Sequence, residues 1–156
     1  MAFQAFLSHS TRDQALVDQI KERVVAAGVQ LYLAEHDPHP GRLLSQKVQE
    51  AIDRSHAVVL LLTPNSYDSA FVHQEVGYAI KGRKIVIPLV DPLVPHEALA
   101  MLEGREYILL NPDRSKEALA VLSDQLENRV TQHERDELWV AIVIIAVLML
   151  LLATAE

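Results

Sequence analysis

Cysteine is absent from this 156-residue chain, which excludes disulfides, thiolate nucleophiles and sulfur-ligated zinc or iron. Cations are scarce: 14 Lys and Arg stand against 21 Asp and Glu, and the formal net charge is -7. Binding to a phosphate backbone rests on clustered Lys and Arg releasing counterions, so nucleic acid is not an expected partner. The seven histidines never fall at H-x-x-x-H or H-E-x-x-H spacing, and no metal site is expected. No G-x-S-x-G occurs, so Ser8, His9 and a distant acid do not read as a hydrolase set. Internal repeats and low-complexity segments are also missing. The N-terminal "MAFQAFLSHSTRDQ" lacks a basic run followed by a long apolar stretch, and does not read as a signal peptide.

Charge, Gly and Pro are missing again from "LWVAIVIIAVLMLLLATA", Leu138 to Ala155, and here the absence is informative. As a helix this segment would span about 27 Å, close to the roughly 30 Å hydrocarbon core of a bilayer. Trp139 stands at its N-terminal edge, where an indole suits the interface. The alternatives are a fully buried core helix or an oligomer interface, and a domain this small can hardly enclose such a helix. Arg129 and Arg135 precede it and only Glu156 follows, so the positive-inside rule puts the N-terminal part in the cytoplasm. The span carries no G-x-x-x-G and forecasts no helix pairing. The expected layout is a domain at 1–130, a polar helical linker at 131–137 and a single-pass transmembrane helix at 138–155.

Ahead of the anchor, short apolar runs alternate with helix-period stretches, the pattern of a parallel sheet with crossover helices. Strands are expected at Ala2–Ser8, Val29–Ala34, Ala57–Thr63, Lys84–Val90 and Glu106–Leu110. Helices are expected at Asp13–Ala27, Leu43–Ser55, Asn65–Lys81 and Ser115–Glu137, with a short one at His96–Leu102. Ser10 with Asp13 three positions on reads as a helix start, and Gly28 and Gly82 as stops. The fold class is α/β, a flavodoxin-like five-stranded parallel sheet with flanking helices and its crevice at the carboxyl ends of the strands.

One helix carries an acid in the wrong place. In "SAFVHQEVGYAI" the residues Phe71, Val72, Val76, Tyr78, Ala79 and Ile80 share a broad apolar face, and Glu75 projects between Phe71 and Ala79 inside it. It could be a structural carboxylate tied to a backbone amide, Lys81 or Arg83. Alternatively, its helix starts at the carboxyl end of the third strand, so Phe71 and Glu75, one turn apart, would offer the crevice an aromatic face and a carboxylate. That pair suits a flat cationic ring attached to a sugar. Two neighbouring stretches remain open between an ordinary role and a functional one: "FLSHSTRD" as a helix cap or a ligand rim, and "AEHDPHPGRLL" as a connector or a projecting loop.

The order "AFLSHSTRDQALVDQIKERVVAAGVQLYLAEHDPHPG", "AIDRSHAVVLLLTPNSYDSAFVHQEVGYAI", "KIVIPLV" resembles a Toll/interleukin-1 receptor (TIR) domain of the bacterial type, over roughly Met1 to Val130. Phe6 to Ser10 resembles the family's first box, Ala34 to Arg42 its BB loop with Asp37, Pro40 and Gly41, and Phe71 to Glu75 the aromatic-x-x-x-Glu of its third helix. The resemblance implies that Glu75 is catalytic for NAD cleavage, by hydrolysis or cyclisation to ADP-ribose products. Phe71 stands where tryptophan is usual, and the loop lacks the family's Arg-Asp start. NAD is thus a substrate and no cofactor is implied; Phe71, Ser8, His9 and Arg42 are candidate substrate contacts. Further implications are TIR–TIR self-association as the switch, contact with other defence proteins and a role in antiphage immunity; contact with membrane lipid follows from the expected span at 138–155. The competing expectation is a non-enzymatic TIR adaptor that recruits other TIR proteins to the membrane. A third is a nucleoside-processing enzyme of similar architecture.

Overall fold

The computed structural model describes residues 2–33 and 46–153. Five parallel strands form one sheet in the order β2-β1-β3-β4-β5: β1 (Gln4–Ser8), β2 (Gln30–Leu33), β3 (Ala57–Leu62), β4 (Ile85–Val90) and β5 (Ile108–Leu109). The helices are α1 (Gln14–Ala26), α2 (Gln46–Arg54), α3 (Ala70–Lys81) and α4 (Ser115–Ala153). The expected α/β architecture is present. The first part of the helix expected at Leu43–Ser55, and the residues 34–45 that include Asp37, Pro40, Gly41 and Arg42, lie outside the described residues.

Burial follows the two periods of the sequence. All six residues of β3 are buried, as a central parallel strand covered on both faces requires. Val59 and Leu61 pack with Leu7, Val17, Ile20 and Leu122 in one core, while Val58 packs with Phe6, Ile52 and Ala79 in another. Leu60 and Leu62 meet Val72, Val76 and Leu102 in a third cluster on that second face. The sheet therefore lies between α1 with α4 on one side and α2 with α3 on the other.

Several boundaries differ from expectation, each for a local reason. α3 begins at Ala70 rather than Asn65, because Ser66 and Tyr67 donate their N–H groups to Thr63 O in a tight turn and Ser69 provides the cap, accepting from Val72 N. Gly82 does end α3, but at φ -75; the left-handed residue is Arg83, at φ 55. Gly82 serves close approach, since a Cβ there would stand 3.3 Å from Tyr78 O. Gly28, at φ +78, is the left-handed stop of α1 that its position suggests. His96–Leu102 is a 3-10 helix.

β5 covers two residues instead of five, pairing Leu89 with Ile108 and Val90 with Leu109. Val90 O accepts from Leu110 N, so the backbone of Pro88, two residues earlier on the same strand, faces the same side and brings no donor. The ladder stops there, and Tyr107 is left exposed.

α4 is one continuous helix of 39 residues, polar first and apolar after. Its first turns dock through Ala118, Leu119, Leu122 and Leu126. The apolar stretch is 0% buried, with Leu138 61% and Leu152 71% exposed. It is not a core helix. By length and composition it is able to cross a membrane.

Candidate active site

β1 sends the chain to β2 on one side, and the next crossover returns it to β3 on the other, so the strand order reverses between β1 and β3. The carboxyl ends of those strands bound the crevice. At its α3 side Ser8, the last residue of β1 and wholly buried, lies beside the second turn of α3. Val72, Val76 and Ala79 form the packing stripe of that helix, and Glu75 lies within the stripe at 0% exposure.

Ser8 Oγ donates to Glu75 Oε2 at 2.5 Å. This hydroxyl, rather than Lys81 or Arg83, meets the carboxylate; Lys84, the next cation, points its Nζ at the carbonyls of Asp53 and Ser55. Burial pushes the Glu75 carboxyl up to about 7, and the Ser8 hydrogen bond works against that rise. A carboxyl so placed divides between its two protonation states near neutral pH. Phe71, one turn earlier on α3, is half-buried.

His9 is also buried, with Nδ1 3.2 Å from Leu7 O. A carbonyl only accepts, so Nδ1 carries the proton in that contact. The candidates Ser8 and Glu75 are thus brought into direct contact, with His9 next to Ser8 in the chain; Arg42 and the loop residues Asp37, Pro40 and Gly41 lie outside the described residues. Among the described residues no group of three or more His, Asp or Glu could hold a metal ion.

A second polar contact across the switch point escaped the sequence reading. Asp13, read there as a capping partner of Ser10, accepts from Thr63 Oγ1 at 2.7 Å and from Asn65 Nδ2 at 2.6 Å. Ser10 does cap, but takes the N–H of Arg12. The available signal was "TPNS" directly after β3, a cluster of short donors opposite an acid that follows β1.

Residues 5–126 match the TIR domain family. Human Toll-like receptor 6 is 24% identical over 133 residues, which cover 76% of this chain and 17% of the receptor. The Brachypodium distachyon protein named "Probable 2' cyclic ADP-D-ribose synthase BdTIR" is 24% identical over 122 residues, covering 75% of this chain and 54% of that protein. The chain thus spans about half or less of the length of these relatives. Among solved structures, the TIR domain of the Toll-related receptor TRR-2 from Hydra magnipapillata superposes with a TM-score of 0.60 at 14% identity, over 78% of this chain and 96% of that one. Motif order, strand order and a family match over most of the chain agree: it belongs to the TIR domain family.

Proposed function

We propose that this chain is a membrane-anchored TIR domain that cleaves NAD at the nicotinamide–ribose bond, with Glu75 as its catalytic carboxylate. The observation that carries the reading is the burial of Glu75 at the switch point, where Ser8 holds one oxygen and the carboxyl is pushed up to about 7. The relation to a protein named as a cyclic ADP-ribose synthase supports it.

The chemistry needs few groups. Ordinary glycoside hydrolysis uses one carboxyl to protonate the leaving oxygen and another at the anomeric carbon. In NAD the nicotinamide is already cationic: the bond from its ring nitrogen to the ribose C1′ breaks, the electron pair leaves with the ring, and nicotinamide departs neutral without a general acid. Positive charge develops on the ribose, where ionised Glu75 stabilises it. Water then adds at C1′ and gives up a proton to solvent to leave ADP-ribose, or a hydroxyl of the same molecule adds with the same loss of a proton to give a cyclic product. Phe71 walls the nicotinamide, and Ser8 serves first as the group that orients the carboxylate. His9 and Arg42 remain candidate nucleotide contacts.

The apolar end of α4 anchors the domain as a single-pass span with the TIR domain in the cytoplasm. Confinement to a surface raises the effective concentration of neighbouring copies, which suits activation by TIR–TIR association in antiphage defence. The test is NAD consumption, with product identification, by the 156-residue chain in lipid vesicles beside Glu75→Gln. Turnover lost in a folded, inserted variant supports the reading. No turnover by densely clustered wild type would return Glu75 to a structural role and leave the chain a recruiting adaptor.

A further inference from the structure

Asp13 stands at the N-cap of α1, where a short acidic side chain ordinarily accepts from the first free N–H groups of the helix. It makes no such bond. Its carboxylate is instead buried, at 7% exposure, and both oxygens turn across the switch point to Thr63 and Asn65, 50 and 52 positions along the chain. A buried carboxylate is expensive unless charge-assisted hydrogen bonds satisfy it, so these two contacts are what keep it there.

The contacts continue inward. Asn65 N donates to Thr63 Oγ1 at 3.1 Å, Thr63 N to Ser66 Oγ at 2.8 Å, and Ser66 Oγ to Leu61 O at 2.9 Å. Ser69 N then donates to Ser66 O at 3.0 Å, and the Ser69 hydroxyl caps α3, which carries Glu75. An unbroken series of bonds therefore runs from the start of α1 to the first turn of the helix holding the buried acid. Ser8 to Glu75 is a second bridge across the same gap.

We infer that Asp13 is a positioning residue, which sets α3 against β1 by gripping the loop between β3 and α3 and so fixes where Glu75 stands relative to Ser8. The inference rests on the NAD-cleaving reading for its catalytic consequence, but its geometric content does not. A displacement of about 1 Å in a reacting group is enough to lower turnover a hundredfold, so a latch of this kind acts on kcat.

The experiment compares Asp13→Asn, Asn65→Asp and the double swap in the 156-residue chain held in lipid nanodiscs. Asp13→Asn alone keeps the shape but replaces both charge-assisted bonds with weaker neutral ones, because either amide can turn to set its oxygen against the other's N–H₂. The swap restores the charge-assisted bond: the amide now on α1 still accepts from Thr63 through its oxygen, while its N–H₂ donates to the carboxylate now on the β3–α3 loop. Expected is a fall in kcat of about tenfold or more for Asp13→Asn with KM within about threefold, and recovery to within about threefold in the swap. The activity-free readout is the titration of the ¹³C-labelled Glu75 carboxyl, identified by its loss in Glu75→Gln. It should move down from about 7 toward the ordinary carboxylate range in Asp13→Asn and return in the swap. Water reaching the displaced carboxyl relieves the burial that is the larger cause of the rise, and this outweighs any loss of the Ser8 bond. If the wild type cleaves no NAD, the functional reading fails while this titration still decides the positioning. Should Asp13→Asn not fold, Asn65→Ala, at an exposed position, loosens one of the two contacts and is expected to move both readouts in the same direction. An unchanged Glu75 titration and kcat in a folded variant that merely melts earlier would overturn the inference.

Discussion

The imidazole of His133, on α4, lies 4.4 Å from that of His56, which precedes β3, and Phe3 stacks on His56 at 4.9 Å. His56 Nδ1 accepts from Gln4 N at 3.0 Å, and His133 Nε2 stands 3.6 Å from Glu137 Oε1. Lys84 also faces His56, and Arg129 and Asp136 line the same hollow. This pair is placed where α4 leaves the domain, after its last core residues Leu126 and Val130.

Acid should loosen that junction. Burial, then the charge of His133, hold the His56 pKa below its usual 6.5. A lowered pKa means that the unfolded chain binds the proton more tightly, so this contribution to stability is present above about 6.5 and is lost as pH falls toward the folded value. His133→Gln removes the neighbouring charge and should flatten the acid loss, measured as the slope of unfolding free energy between pH 7.5 and about 5.5. An identical slope in the two proteins would dissociate the His133 charge from it and leave the burial of His56 as its cause.

Glu75 titrates with the opposite sign. Its folded pKa of about 7 lies above the ordinary 4.5, so the folded state holds the proton more tightly. The buried acid is therefore tolerated below about 4.5 and destabilises increasingly as pH rises through 7. Glu75→Gln should stabilise the protein by on the order of 3 kcal/mol at pH 8 and by almost nothing near pH 4.5, the trade expected of a strained functional group. Ser8 can donate to the amide oxygen as it does to the carboxylate. Chemical denaturation at the two pH values checks this; a variant less stable at pH 8 would mark Glu75 as structural.

If ionised Glu75 does the chemistry, kcat/KM for NAD should rise about tenfold per pH unit below 7 and level off above it, because that ratio reports the free enzyme. Ser8→Ala removes the interaction that lowers the Glu75 pKa, so the half-maximal pH should move upward. The variant should also lose plateau rate, since one carboxylate oxygen is no longer oriented. A pH profile unchanged in Ser8→Ala would separate the titrating group from Glu75.

The strands, the helix periods and the inward-facing acid were legible because each is a repeat over several residues: β3 is apolar throughout, and Glu75 falls in phase with Val72, Val76 and Ala79. The partners of the buried acids were not legible. Ser8 lies 67 positions from Glu75, and Asp13 lies 50 from Thr63; only the sheet order brings them together. Asp13 misled for a physical reason. At a helix start a short acid has a local role available, and sequence spacing cannot show that it forgoes that role for distant donors. The length of β5 was obscured similarly, since "EYILL" has strand composition throughout while the ladder depends on the donor that Pro88 lacks in the neighbouring strand.

The anchor can be tested apart from the catalytic reading. The residues from Leu138 to Leu152 expose Leu, Ile, Val and Met around the whole helix, an apolar surface that water does not support on a monomer. Ile145 lies near the middle of the stretch and is 53% exposed. An arginine at the centre of a span opposes insertion by about 2.5–3.5 kcal/mol, so Ile145→Arg should shift the chain out of the vesicle fraction in flotation, roughly a hundredfold in partition. Trp139 gives a second reading: its fluorescence should shift to the blue with vesicles for the wild type and stay at the aqueous position for the variant. A wild type that remains in the aqueous fraction as a defined oligomer, with Ile145→Arg breaking the oligomer, would make the apolar face of α4 a protein interface instead of a membrane span.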